Sequence, residues 1–137
     1  MAKESGLSWT TMAIDDDGGT ARNIVNDVLS EDWDHPRETI DDTGLDKSSH
    51  ERLIGLGDFT INLVAAFNDG AAPSSHETFK NAGTTNVART ITNTISGQIL
   101  NNECWLTSVI LNRGADASFQ FSVTAVLQDG TRPTWST

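Results

Sequence analysis

Four stretches of the chain alternate apolar and polar residues with a period of two, and this pattern constrains the fold more than any other feature. Phe59, Ile61, Leu63, Ala65 and Phe67 fall on one side of the first, with Thr60, Asn62, Val64 and Ala66 on the other. Side chains alternate across a strand, so this stretch predicts a half-buried β-strand. A second stretch sets Val87, Ile91 and Ile95 against Thr90, Thr92 and Thr94, with Arg89 and Asn93 interrupting its apolar side. Those two polar residues predict an edge strand or a wet interface. Residues 104–111 are apolar on both sides for much of their length, which predicts a strand covered from both faces. They end in a turn at Asn112-Arg113-Gly114-Ala115-Asp116. Phe119, Phe121, Val123, Ala125 and Leu127 then alternate with Ser118, Gln120, Ser122 and Thr124 before Asp129-Gly130, which predicts a hairpin with the preceding strand. A further strand is expected over residues 7–14, stopped by Asp15-Asp16-Asp17-Gly18-Gly19.

Helices are predicted only in connections. Ser48-Ser49-His50-Glu51 and Ser74-Ser75-His76-Glu77 are both Ser-x-x-Glu capping boxes, whose side chains satisfy the orphan amides at a helix start. The first helix is expected to reach about Leu56 and the second to end near Asn81-Ala82-Gly83. With strands dominant, the expected fold is all-β: a β-sandwich or squashed barrel carrying one or two short helices. The 137 residues match a single domain, 1–137, able to bury about two-thirds of its unfolded surface. Residues 30–48 are acidic and without period, and predict a long loop in which Trp33 anchors against another surface.

The charge is uneven. Fourteen of the nineteen acids and five of the nine Lys and Arg precede residue 59, giving that part about −9 of the total −10. Such a surface repels phosphate and argues against ordinary nucleic-acid binding, while permitting contact with DNA without adhesion. The single Cys104 lies in an apolar run with no basic partner nearby, as a buried thiol would. The N-terminus has no apolar signal core and no run approaches a membrane span, so a cytosolic protein with no membrane association is expected.

Catalytic chemistry is not legible. The run at Asp15 places Gly fourth and Asn26 twelfth, where an EF-hand loop needs Gly sixth and Glu twelfth. His35, His50 and His76 stand too far apart to form a compact zinc set. No nucleophile elbow, phosphate-binding loop or dinucleotide fingerprint occurs. No catalytic, metal or cofactor-binding residue is therefore expected, and the chain does not read as an enzyme.

Three segments, in order, resemble the major tail (tail tube) proteins of long-tailed bacteriophages. They are Gly6-Leu7-Ser8-Trp9-Thr10-Thr11-Met12-Ala13-Ile14 with the acidic turn that follows, Thr43-Gly44-Leu45-Asp46-Lys47 leading into Asp58-Phe59-Thr60-Ile61-Asn62-Leu63, and Asp129-Gly130-Thr131-Arg132-Pro133-Thr134-Trp135-Ser136. The resemblance implies a structural virion protein, made in the host bacterial cytoplasm, that forms stacked hexameric rings through which the genome leaves the capsid. It implies itself as chief partner, with tape measure, tail tip and terminator proteins, and double-stranded DNA passing without specific binding. Under this reading Trp33, Asp34, His35, Pro36, Arg37, Arg89, Ile91, Asn93 and Trp135 are candidate subunit or ring contacts. The strand at 87–95 would pair with a neighbour, and Asp15, Asp16, Asp17, Asp41 and Asp42 are candidate lumen charges. The alternatives are a capsid decoration or cement protein and a free-standing carbohydrate-binding β-sandwich. Against the latter, Trp9, Trp33, Trp105 and Trp135 are scattered and form no stacking platform in the sequence.

Overall fold

A computed structural model describes residues 3–137. The chain runs β1 (Trp9–Asp15), β2 (Ala21–Asn23), β3 (Val28–Asp34), β4 (Arg37–Asp41), β5 (Arg52–Gly57), β6 (Thr60–Ala66), α1 (Ser75–Phe79), β7 (Arg89–Ile95), β8 (Gln98–Arg113), β9 (Phe119–Leu127) and β10 (Trp135–Ser136). A short 3₁₀ turn, Gly6–Ser8, precedes β1. One antiparallel sheet follows the order β2-β1-β7-β8-β9-β6-β3, with β10 against β8, while β4 and β5 form a separate ribbon.

The sheet folds over on β8. Residues 98–104 of this long strand pair with β7, and residues 104–113 pair with β9, with a register shift between Leu106 and Ser108. A bulge of this kind lets one strand turn a corner and serve two layers. One layer is β2-β1-β7 with the first half of β8, and the other is the second half of β8 with β9, β6 and β3. Between them lie Met12, Ile14, Phe59, Ile61, Leu63, Ala65, Ile91, Leu100, Phe121, Val123 and Ala125, all essentially inaccessible to water. Phe79 of α1 closes one end of the core, 5.5 Å from Phe121 between ring centroids.

The alternating stretches at 59–67 and 119–127 became β6 and β9, joined side by side from Thr60 against Val126 to Ala66 against Gln120. The second capping box also formed, with Ser74 Oγ accepting from the Glu77 amide. Residues 48–56 differ from expectation: they hold no helix, and β5 occupies their second half. Gly55 and Gly57 weaken a helix there, and the Glu51 amide donates instead to Thr43 Oγ1 at 2.9 Å. Leu53 and Ile54 then face Ile40 and Thr39 across a ribbon. The expected loop at 30–48 is likewise mostly strand, since β3 and β4 occupy it up to Asp41. Nor is the strand at 104–111 covered on both faces, because Trp105 and Ile110 stand exposed.

Candidate assembly interface

β7 has no free edge. It pairs with β1 on one side and β8 on the other, and Arg89, Ile91 and Asn93 are each 1% exposed or less. These three residues therefore cannot face a neighbouring subunit, and the reading of 87–95 as an edge strand is corrected. The polar side chains that suggested a wet interface are internal. Arg89 Nη1 donates to the carbonyls of Asp15 at 3.0 Å and Thr78 at 2.5 Å, tying α1 to the end of β1. Burial pulls this guanidinium below its ordinary pKa, opposed by Asp17, Asp16 and Asp15. Asn93 offers two buried polar atoms with no partner among the described residues.

The free edges lie elsewhere. Among the described residues, β3 pairs only with β6. Beyond Cys104, where β7 ends opposite, residues 105–113 of β8 pair only with β9. The layer β8-β9-β6-β3 is thus a four-stranded antiparallel sheet open at both margins. Exposed apolar side chains stand along both: Ile110, Leu111 and nearby Phe119 at one, Leu29 and Leu7 at the other. Unpaired strand edges of this length are templates for another chain.

Trp33 packs inside its own subunit. Its ring lies 5.4 Å from Trp9, 5.5 Å from Trp135 and 6.3 Å from Phe59. This aromatic cluster stands where β1 and β3, from opposite layers, approach one another. His35 packs on Phe59 at 4.6 Å. Pro36 and Arg37 begin the ribbon, with the Pro36 carbonyl accepting from the Asp58 amide and Arg37 Nη2 donating to the Gly55 carbonyl. Asp34 and Trp135 are exposed.

A groove of about 600 Å³ runs beside the cluster, lined by Leu7, Trp9, Met12, Val28, Leu29 and Glu31 among others. Both Glu31 carboxylate oxygens are buried and unpartnered. The Trp33 indole N–H is near enough to favour the charged form but makes no hydrogen bond with it. Loss of water pushes the carboxyl up to about 7, and the adjacent Asp32 adds to the rise. Because the folded pKa lies above the ordinary 4.5, the native state binds the extra proton between these values. The contribution of Glu31 to stability is then most favourable below pH 4.5 and is lost as pH rises through 7. Glu31→Gln is expected to remove this slope and to raise stability at pH 8 by up to about 3 kcal/mol, with little change at pH 4. Thermal melting of both proteins across that range, at a concentration where each is monomeric, checks it, and parallel curves would contradict it.

The candidate lumen acids are distributed over two places. Asp16 organises the β1–β2 turn, where its carboxylate accepts from the Thr20 and Gly18 amides and from Arg22 Nε at 3.0 Å. The Thr20 amide is the main cause of its lowered pKa. Asp15 and Asp17 flank it. Asp41 lies on the ribbon with its carboxylate held low chiefly by the Thr43 hydroxyl, and Asp42 follows. Neither group is on the open four-stranded sheet.

Asp32 and Asp34, which the sequence reading did not single out as lumen charges, are on it. They pair with Asn62 and Thr60 on the face turned away from the core. Their neighbours across that face are Thr124 and Val126 on β9. The period-two spacing of Asp32 and Asp34 about Trp33 is the signal that would have found them.

In the tail of the empty gene transfer agent (GTA) particle, a structure with C6 symmetry, one chain superposes on this one with a TM-score of 0.71 at 14% identity, covering 98% of this chain and 100% of that one. The fold is that of a GTA tail chain. A chain in the virion of the native GTA particle gives a TM-score of 0.74, again at 14% identity and with 98% and 100% coverage. No protein-family model matches the sequence, and no curated protein matches it significantly. The two superpositions span nearly the whole of each chain, so the fold is shared along its length.

Proposed function

We propose that the chain is a structural virion subunit that closes into rings of six, which stack into a tail tube serving as a conduit for the genome. The observation that carries this reading is the four-stranded sheet with two free edges. In a head-to-tail ring, β3 of each copy adds to β8 of the next, and closure removes both free edges of the four-stranded sheet. The full-length likeness to a chain of a C6-symmetric tail supports six as the number.

The outward face of that sheet then lines the lumen. Its residues are chiefly Ser, Thr, Asn and Gln, including Asn62, Ser122, Thr124, Gln120 and Ser108, with Asp32 and Asp34 as its acids. Such a wall offers DNA water-compatible side chains and repulsion in place of adhesion. The ribbon β4–β5 extends away from the core with Ile40, Leu53, Ile54 and Leu56 exposed and Leu45 at its tip. A two-stranded ribbon with apolar side chains on show is stable only when covered, and the next ring is the surface this reading supplies. Other tail proteins and passing double-stranded DNA are the remaining partners.

Size-exclusion chromatography at low concentration and negative-stain microscopy at high concentration test the reading. Rings or hollow tubes are expected, and a monomer at all concentrations would refute it. Replacing Asp32 and Asp34 together with Lys is expected to preserve tubes while making them retain short duplex DNA at low salt. Retention should fall steeply as salt rises. Tubes with no gain in DNA retention would move these residues off the lumen.

A further inference from the structure

Glu31 and Arg113 stand at the two free edges of the same sheet, and both lie on its core-facing side. Glu31 is opposite Leu63 and Arg113 opposite Phe119, each in register with the buried set. One is a buried carboxylate with neither oxygen hydrogen-bonded. The other is an exposed guanidinium that makes no ion pair or side-chain hydrogen bond among the described residues. A buried carboxylate without a partner is costly, and the described residues of the subunit offer it none.

The registers show where a neighbour's β3 would fall. Straight across the sheet, Glu31 is level with Leu63, Leu63 with Val123, and Val123 with Val109. A closed barrel is not level, because its strands tilt by roughly 35–45° and the pairing is staggered. For four strands per copy, about 4.8 Å apart with about 3.3 Å per residue, that tilt amounts to a stagger of about four to six residues per subunit; an even number keeps like faces together, and of these only four stays within β8, which ends at Arg113. The hand of the twist fixes its direction. The Phe67 amide donates to the Phe119 carbonyl, so core-facing residues of β6 direct their backbone groups to β9. With the polar face turned to the lumen, this places β3, β6, β9 and β8 from left to right as seen from outside the ring, with β6 and β8 pointing up. A right-handed tilt then moves the neighbour's β3 toward the C-terminal end of β8. Four residues beyond Val109 is Arg113.

We infer that Glu31 of one copy and Arg113 of the next form the ion pair that fixes the register between neighbours in the ring. The pair rests on the proposed ring, and it names the contact that sets its stagger. The arginine supplies the charge-assisted hydrogen bonds that the groove lacks. Within one copy the two side chains belong to opposite margins of the sheet, so the pair forms only between copies.

Cross-linking tests this independently of the ring itself. Glu31→Cys with Arg113→Cys, treated with a short bis-maleimide, is expected to give a denaturing-gel ladder ending at six. Either single variant should give none, because Cys104 is buried with its thiol pushed up to about 12 and stays unreactive. Arg113→Glu alone is expected to lose rings at a concentration where the native chain is fully assembled, and adding Glu31→Lys should restore them. Native rings without a ladder in the double-Cys protein would overturn the pair and leave the ring standing. Rings that survive Arg113→Glu at undiminished yield would also overturn it. A native chain that forms no rings would overturn both.

Discussion

Leu111→Pro is expected to leave the isolated subunit folded and to abolish rings and tubes. The Gly114 amide donates to the Ser118 carbonyl, so by the alternation of an antiparallel ladder Asn112 and Ile110 direct their backbone groups to β9. Leu111 and Val109 direct theirs to the open edge. Proline at 111 therefore removes no hydrogen bond within the subunit, and Leu111 is already 48% exposed. Proline is tolerated on an edge strand when the missing amide would face water. The cost to the monomer is expected to stay within about 2 kcal/mol, from partial loss of packing and backbone adjustment. In the ring the same position faces β3 of the neighbour, and each interface loses a ladder bond while gaining a ring that blocks close approach. Six interfaces suffer together, so the closed species should disappear. Circular dichroism with sedimentation velocity separates the outcomes. A folded monomer supports the edge pairing, whereas normal tubes would place the interface elsewhere.

The largest loss of stability is expected from Phe59→Ala. Phe59, just before β6, is fully buried, and its ring touches His35 and approaches Trp33. Its carbonyl accepts from the Leu127 amide at 3.1 Å, which fixes the end of β9 beside it. Truncation empties the floor beneath the aromatic cluster joining β1, β3 and β10, where large rings cannot easily collapse inward. A cost of about 3–5 kcal/mol is expected, a large share of the roughly 5–15 kcal/mol that holds a domain folded. The melting temperature should fall by roughly 10–20 °C. Phe119→Ala is the control, because that ring is 42% exposed and its loss should cost well under half as much. Similar shifts for the two would show that the cluster relaxes to fill the space.

The strands were legible wherever one face is buried and the other is wet. At 59–67 and 119–127 the chain must alternate, because a one-residue slip would turn the whole apolar set to water. The turn at Asp15 to Gly19 was legible for a local reason, the capping of amides by the Asp16 carboxylate. The second capping box was readable because α1 has nothing to pair with. The first was misleading because Leu53 and Ile54 find partners in Ile40 and Thr39, and a ribbon register is not written in a tetrapeptide. The candidate interface fared worst at 87–95. There Arg89 and Asn93 look like edge residues, yet they occupy the core because the carbonyls of Asp15 and Thr78, distant in sequence, are available to Arg89.

A mainly β fold, the strands with clean alternation and the concentration of acid before residue 59 were all readable from the chain's own residues. These depend on each residue's own preference for water and on neighbours a few positions away. Which strands have free edges, which acids share a face, and the burial of Glu31 without a partner come from the strand order and packing instead. Edges and faces are properties of strand order, and here that order brings β3 to lie beside β6 and carries β8 across both layers, so residues far apart in the chain acquire meaning only once the sheet is closed.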